Sequence, residues 1–472
     1  MRRSRLPSSG TSRVALNATA KPVTGAGSAG VETIAASATP PGRGGIGIVR
    51  VTGPAVKHLI PQWLHCDLEP RRARLCTLPA ADGEALDEAL ALYFPAPHSY
   101  TGEDVLELHA HGNPLLLEQI LSVLADLGVR RARPGEFTER AFLNGKLDLA
   151  QAEAVADLIA AGSMQAMRAA RRSLEGVFSA KVNTLHEALC TLRIEIEAQL
   201  DFPDEDLPAP AVQHWREQLT AIDVQIADLK RAAERGRRLN DGFKVAIAGA
   251  PNVGKSSLLN ALTGSERAIV SPHPGTTRDV LRETVVMAGG VVEISDLAGL
   301  RDSDDDVENE GIRRARDELS RADLVIWLDD SRTPDRTLPV ELDPEIAVLR
   351  VHNKVDLDPT RTGRPVAIGS DNTLWISARR GDGLDALRAA LAARAGLNSG
   401  AGEFSARARH LDHLGACAGE LTLAGAALAA GAPPELVAEH LRLAADELSA
   451  LTGKVSSDEL LGRIFSRFCI GK

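Results

Sequence analysis

The chain has 472 residues, 64 acidic against 54 basic side chains and a formal net charge of -10. That balance argues against a protein that coats nucleic acid non-specifically, because such binding rests on phosphate neutralisation by Lys and Arg. With 44% hydrophobic and 25% charged residues, wholesale disorder is excluded too. The length suggests about three domains, and aromatics at 3% leave Ala, Leu, Val and Ile to build the cores. The five cysteines (Cys66, Cys76, Cys190, Cys417, Cys469) form no CxxC pair, which favours a reducing compartment over a disulfide scaffold or zinc ribbon. No apolar run reaches the roughly 18 residues of a membrane span, so a cytoplasmic protein with no membrane partner is expected.

In chain order, Met1–Gly30 is rich in Ser, Ala, Gly and Thr and holds no Asp or Glu. Its composition is that of a transit peptide, a disordered tail or an extension from a start codon placed too far upstream. Gly45–Val51, Ala89–Phe94 and Val105–Ala110 read as strands, and Pro114–Leu127 as a helix ended by Gly128. This is a small α/β domain over residues 31–145. Residues 146–240 have helical spacing, broken once at Asp201-Phe202-Pro203 with Pro208 and Pro210. Residues 241–398 alternate strands with helices, the pattern of a parallel sheet, and residues 399–472 return to helix. Two helical stretches flanking an α/β unit predict one helical domain with that unit inserted into it.

The inserted unit carries the clearest chemistry. Phe243–Gly249 reads as a buried strand, and Gly249-Ala-Pro-Asn-Val-Gly254-Lys255-Ser256 follows it and runs into a helix. In that context GxxxxGKS is a phosphate-binding loop. Its glycines let backbone amides and the helix N-terminus converge on an anion. Lys255 would place charge on the β and γ phosphates, and Ser256 would ligate Mg2+. Pro274-Gly275-Thr276-Thr277 offers a second hydroxyl to the metal. Asp296-Leu297-Ala298-Gly299 ends the strand Val291–Ser295, and Asn353-Lys354-Val355-Asp356 ends the strand Ile346–Val351. An Asp at 356 can accept from guanine N1–H and its exocyclic amine, whereas adenine has no N1 donor to give it. Ser377-Ala378-Arg379 would hold the base from its other side. The order of these five elements resembles the translation-factor-like GTPases. One departure is Leu300, where many signalling GTPases carry a water-orienting glutamine. Another is Leu297 in place of the usual Thr. A run of acidic residues from Asp302 to Glu310 follows.

Outside that unit, three stretches resemble the tRNA-modification GTPases of the MnmE (TrmE) family, in the TrmE-Era-EngA-YihA-Septin-like class. They are Glu32-Thr-Ile with Ala38-Thr-Pro-Pro-Gly-Arg-Gly-Gly45, Ser99-Tyr-Thr-Gly-Glu-Asp-Val-Leu-Glu107, and Arg133–Asn144 running into Lys146–Glu153. The final Leu461–Lys472, ending Phe-Cys-Ile-Gly-Lys, resembles the family's C-terminal signature. The likeness spans Glu32 to Lys472. It implies an α/β and all-α multidomain fold: a Ras-like P-loop GTPase domain inserted into a helical domain, preceded by a small folate-binding α/β domain.

The resemblance implies a potassium-dependent GTPase that binds GTP and GDP as a homodimer. With an FAD-dependent partner, MnmG, it would install an aminomethyl or carboxymethylaminomethyl group at C5 of the wobble uridine of certain tRNAs. The one-carbon unit would come from 5-formyl- or methylene-tetrahydrofolate. The nucleotide contacts then fall on Asn252, Val253, Gly254, Lys255, Ser256 and Ser257, and on Ser271, Pro272, His273, Pro274, Gly275, Thr276 and Thr277. They continue at Asp296, Leu297, Ala298 and Gly299, at Asn353, Lys354 and Asp356, and at Ser377, Ala378 and Arg379. Mg2+ falls on Ser256 and Thr277, and K+ on Asn252, Ser271, His273 and Thr276. The water-orienting glutamate is Glu308. Folate contacts fall on Arg50, Glu107, Lys146 and Lys472.

Two residue types admit more than one role. His109 and His111 alternate on one strand, but without a third ligand they read as a polar or folate-lining face rather than a metal site. Cys469 is a candidate nucleophile, with Lys472 as the cation that would activate it, or a small buried residue shaping a folate pocket. The alternative to tRNA modification is a ribosome-assembly or signalling GTPase with RNA-binding flanking domains.

Overall fold

In the computed structural model the described residues are 32–200, 209–264, 282–287, 290–296, 319–333, 346–358, 373–395, 404–454, 458–466 and 468–471. The expectation for Met1–Gly30 lies outside them. They form two compact units: residues up to Asp148 with the C-terminal segment from Asp458, and Leu149 to Lys454.

The first unit is a six-stranded sheet in the order β3-β4-β5-β2-β1-β6. Its elements are β1 (Ile34–Ser37), β2 (Gly44–Thr52), α1 (Val56–Trp63), β3 (Arg74–Pro79), β4 (Ala85–Phe94), β5 (Val105–Gly112), α2 (Pro114–Asp126), β6 (Arg130–Arg131) and α3 (Glu136–Leu143). Strand alternation sends Val49, Val51, Leu106 and Leu108 to one face, where Leu59, Trp63, Ile120 and Leu124 of α1 and α2 cover them. Arg50 and Glu107 therefore go to the other face. α2 begins where the Asn113 carboxamide accepts from the Leu115 N–H at 3.0 Å and Pro114 occupies the first turn. It ends at Gly128, whose φ of 86° suits glycine.

The C-terminal segment, expected above as part of the helical domain, clusters with this first unit. The cause is aromatic packing. In the helix Asp458–Phe465, the Phe465 ring lies 6.4 Å from Phe142 and 5.4 Å from Phe468. Gly135, at φ 69°, lets the chain pass, because a Cβ there would collide with the Phe465 carbonyl oxygen.

The second unit joins a helical bundle to a second six-stranded sheet. The bundle comprises α4 (Leu149–Ala160), α5 (Met164–Leu174), α6 (Val177–Leu200), α7 (Ala209–Asp241) and the helices Ala408–Ala429 and Pro434–Thr452. Their shared core includes Leu189, Ile196, Ile226, Leu414, Leu421 and Leu448. Between α7 and Ala408 comes the inserted sheet, in the order β12-β11-β10-β7-β9-β8. Its strands are β7 (Phe243–Ala248), β8 (Arg282–Met287), β9 (Gly290–Asp296), β10 (Leu324–Asp330), β11 (Ala347–Asn353) and β12 (Thr373–Trp375), with α8 (Lys255–Thr263) after β7. All neighbours are parallel except β8 and β9. The expected insertion of an α/β P-loop unit into a helical domain is the observed architecture.

Buried charge closes the bundle across the insertion. Glu153, 2% exposed, accepts from Arg409 at 2.8 and 2.7 Å and from His410 Nε2 at 2.9 Å. His410 Nδ1 accepts the Arg407 N–H at 3.2 Å, so the neutral imidazole with its proton on Nε2 satisfies both contacts. Arg407 donates to Asp157 at 2.6 Å. Burial pushes the Glu153 carboxyl up, but His410 and Arg409 outweigh it and hold it well below the usual range; burial lowers His410.

Glu153→Ala would leave Arg409 without its carboxylate. The variant should lose about 3–5 kcal/mol, read as a lower urea midpoint in far-ultraviolet circular dichroism. The pH dependence follows from both shifts. A buried neutral His410 binds fewer protons than in the unfolded chain, so stability should fall as pH drops below about 6.5. The depressed Glu153 adds a further loss as pH falls below about 4.5. His410→Gln should flatten the upper of these two limbs.

Candidate functional site

The carboxyl ends of parallel strands are where α/β sheets open to ligands, and the described residues marked for the nucleotide gather there. β7 ends in a loop that only particular residues allow. Gly249 has φ 151°, and a Cβ on it would run into the Leu328 carbonyl oxygen of β10. Asn252 adopts the left-handed region at φ 64°, which Asn tolerates better than most residues. Gly254, at φ 101°, begins α8, and a Cβ there would strike Asn353 Nδ2. The first turn of α8 has no side-chain cap, and Ser256 and Ser257 are exposed in it. Lys255 folds over the loop, donating to the Gly249 and Ala250 carbonyls at 3.0 and 3.1 Å. The start of α8, two exposed hydroxyls and the Lys255 ammonium over the loop thus come together, a donor set suited to an anion.

β11 delivers the second half. Asn353 is buried; its Nδ2 donates to the Val253 carbonyl at 2.9 Å and its Oδ1 accepts the Ala378 N–H at 2.9 Å. One amide therefore joins the loop after β7 to the loop after β12. Lys354, at φ 66°, donates to the Asn252 carbonyl at 2.7 Å and to Asp330 Oδ2 at 3.0 Å. Asp356 accepts the Ser377 hydroxyl at 2.6 Å, and Ser377 Oγ in turn accepts the Arg380 N–H at 3.1 Å. Asp356 is half-buried and Arg379 exposed.

Asp330, at the end of β10, was not singled out from the sequence. Arg332 chelates it with both Nε and Nη2, and with Lys354 this holds its carboxyl well below the usual range. The only local signal is an apolar run, Leu324–Leu328, that stops at two aspartates. β9 brings Asp296 opposite Ile247, beside the loop; its side chain is outside the described residues. So are Ser271, Pro272, His273, Pro274, Gly275, Thr276, Thr277, Leu297, Ala298, Gly299 and Glu308.

The first unit holds the other set. Arg50 and Glu107 are cross-strand neighbours, with Arg50 Nε 2.8 Å from Glu107 Oε1 and side chains 22% and 17% exposed. Arg50 is therefore an ion-paired residue rather than a solvated strand residue. Its guanidinium lies over the Tyr100 ring at 5.5 Å and the Phe137 ring at 5.9 Å. Tyr100 hydrogen-bonds Thr138 at 2.8 Å; burial raises its phenol pKa more than Thr138 and Arg50 lower it. The role of these aromatics was invisible in sequence, because they lie far from Arg50 along the chain. His109 Nε2 sits 3.3 Å from Glu107, whereas His111 is exposed and pairs with Asp87 at 2.8 Å. Among the described residues no group of three His, Cys, Asp or Glu could hold a metal. Lys146 is exposed and donates to the Pro97 carbonyl at 3.1 Å. Cys469 is exposed, which corrects the buried alternative; its carbonyl accepts the Gly135 N–H at 3.3 Å. Gly471 packs on the end of β1, where a Cβ would collide with the Ser37 carbonyl oxygen. Gly471 thus lies at the end of β1, the strand paired with the β2 that carries Arg50. Lys472 is outside the described residues.

The family model described as the MnmE helical domain matches residues 149–469, and that of the GTP-binding protein TrmE N-terminus matches residues 33–146. The chain is similar to the tRNA modification GTPase MnmE of Stutzerimonas stutzeri strain A1501, 49% identical over 461 residues, covering 93% of this chain and 99% of that one. The MnmE of Xanthomonas campestris pv. campestris strain B100 is 49% identical over 452 residues, with the same coverages. That of Yersinia pseudotuberculosis serotype IB strain PB1/+ is 48% identical over 451 residues, again covering 93% and 99%.

Asn353→Ala would break both amide bonds and leave a buried carbonyl and N–H unpaired. Guanine-nucleotide affinity should fall by about 3 kcal/mol, roughly a hundredfold, in a fluorescent-nucleotide titration, with the far-ultraviolet spectrum unchanged.

Proposed function

The chain belongs to the MnmE (TrmE) family of tRNA modification GTPases, and on that footing we propose that it is a potassium-dependent GTP hydrolase acting in wobble-uridine modification. It would work with an FAD-dependent partner, MnmG, and a tetrahydrofolate one-carbon donor, as a homodimer on tRNA in the cytoplasm. The observation that carries the nucleotide reading is Asn353, whose amide ties the phosphate-loop residue Val253 to Ala378 beside Asp356 and Ser377.

In this reading the exposed first turn of α8 and Lys255 receive the phosphates. Lys255 would exchange the Gly249 and Ala250 carbonyls for phosphate oxygens. Asp356, oriented by the Ser377 hydroxyl, accepts from guanine N1–H and the exocyclic amine. Lys354, pinned by Asp330, walls the base pocket. Ser256 and Asn252 are exposed oxygen donors, which suits hard cations. Ser256 and Thr277 would hold magnesium, with the Asp296 carboxylate near it, and Asn252, Ser271, His273 and Thr276 would hold potassium. When bound, these ions supply positive charge where negative charge develops between the β and γ phosphates. Glu308 would orient the attacking water in place of the glutamine that Leu300 lacks.

The paired Arg50 and Glu107 offer, side by side, a donor fork and an acceptor, which suits a pterin edge. Lys146, Lys472 and Cys469 complete the proposed folate surroundings. The folate, when bound, supplies the one-carbon unit; Arg50 and Glu107 orient it, and the rings of Tyr100 and Phe137 hold Arg50.

Two outcomes test the reading. Asp356→Asn presents an amide donor to guanine's N–H groups, so GTP affinity should drop by about 3 kcal/mol, roughly a hundredfold, while xanthosine triphosphate gains. An unchanged preference for GTP would remove Asp356 from the base pocket. Mass analysis of tRNA from cells lacking this chain should show wobble uridines without the carboxymethylaminomethyl group. Unaltered tRNA with altered ribosome profiles would favour an assembly GTPase instead.

A further inference from the structure

On the helix-covered face of the first unit's sheet, two thiols meet. Cys66 lies half-buried in the loop after α1, Cys76 lies buried on β3, and their sulfurs are 3.1 Å apart. A disulfide requires about 2.05 Å, so roughly 1 Å of approach separates the pair from a bond. The scaffold around them is already tied. The Trp63 indole N–H donates to the Pro79 carbonyl at 3.1 Å, and Arg74 Nη1 donates to the Asp67 carbonyl at 2.7 Å. These bonds fasten the end of α1 and the following loop to the two ends of β3. The remaining cysteines sit on separate elements: Cys190 on α6, Cys417 in the helix Ala408–Ala429 and Cys469 in the C-terminal segment.

We propose that Cys66 and Cys76 form a modification site for low-molecular-weight disulfides of the glutathione class, closing to an internal disulfide. Cys66, the more accessible thiol, attacks as its thiolate one sulfur of glutathione disulfide. That S–S bond breaks, one glutathione leaves as thiolate and takes a proton from water, and Cys66 carries the other as a mixed disulfide. Cys76 then gives up its proton to solvent and attacks Cys66 Sγ, expelling the second glutathione. Two protein thiols lose two electrons in total, and one small disulfide becomes two thiols. Burial, then the hydrogen bond and charge of Cys66, push the Cys76 thiol up to about 12. Closure is therefore the slower step and speeds up with pH. Its product staples the loop to β3, the strand at one end of the sheet.

The test uses the full chain with glutathione disulfide, quenched with a maleimide, digested and weighed, with closure followed over time. A peptide pair joined through Cys66 and Cys76 is expected, two hydrogens lighter than the separate thiols and restored by dithiothreitol. The buried Cys417 should still titrate in denaturant, and any glutathione adduct on the exposed Cys469 is scored separately by its mass. The closure rate should rise roughly tenfold per pH unit between about 7 and 9. Cys76→Ser should stop at a lasting glutathione adduct on Cys66, and Cys66→Ser should give neither adduct nor link in this region. A wild-type adduct on Cys66 that never closes, a link from Cys66 to another cysteine, or no reaction at either thiol would overturn the proposal without recourse to any variant.

Discussion

The helical bundle is closed by residues about 250 positions apart, and the ion cluster around Glu153 is what closes it. The chain leaves the bundle at the end of α7 and returns near Phe404, and an insertion of that length carries a loop-closure cost that grows only slowly with its size. What has to be strong is the seam. Glu153 and Asp157 on α4 meet Arg407, Arg409 and His410 at the returning end, and Ser173 of α5 accepts the Ser405 N–H at 2.9 Å and donates back to its carbonyl at 3.1 Å. Phe178 and Phe404 pack at 4.9 Å beneath, and Gly236 admits the Phe404 carbonyl where any Cβ would block it. A buried ion cluster is a costly way to gain stability, but its directional hydrogen bonds join two distant segments at one register. The inserted sheet can then carry its own core without either half of the bundle losing its partner.

Within the inserted sheet the same logic recurs on a smaller scale. Three loops at the carboxyl ends of β7, β11 and β12 owe their mutual placement to the Asn353 amide, which spends a donor on one loop and an acceptor on another. Gly249 and Gly254 are required there by proximity as much as by φ, since β10 and Asn353 occupy the space a Cβ would need. Phosphate-side and base-side residues are thus not independent; a change at Asn353 is felt at both.

What was legible in the sequence was local. The alternation of Val105–Ala110, the Pro114 start of α2 and its Gly128 stop, and the strand-loop-helix around Lys255 are set by neighbours a few residues away, and the structure has them. Asp330 went unseen because its significance lies in Lys354, just beyond the end of β11, and nothing in a run ending Asp-Asp marks which aspartate that lysine meets. Tyr100 and Phe137 flank Arg50 from separate elements, and the Glu153 seam joins segments some 250 residues apart. The C-terminal helix reads simply as helix; that Phe465 and Phe468 seat it on α3 depends on Gly135 and Phe142, more than three hundred residues earlier. Composition and periodicity carry secondary structure well and pairings of this range poorly.

β9 touches both the nucleotide-site loops and the helices. Its last residue, Asp296, pairs beside the loop after β7, and its second, Val291, packs against Gly162 after α4 and Gly242 after α7. Five residue steps from Val291 to Asp296 at about 3.3 Å each separate these ends by roughly 16 Å of hydrogen-bonded strand. There is little slack at the far end: a Cβ built on Gly162 would sit 3.1 Å from Val291 Cγ2, and one on Gly242 3.4 Å from Val291 Cγ1. A strand paired on both sides and blocked at its base does not slide alone. A displacement at Asp296 would have to move β8 and β7 with it or shift the α4–α5 turn, and that turn is anchored through α4 by the Glu153 seam. The sheet and the bundle are therefore in direct contact along β9, from Asp296 beside the loop after β7 to Val291 beside Gly162 and Gly242.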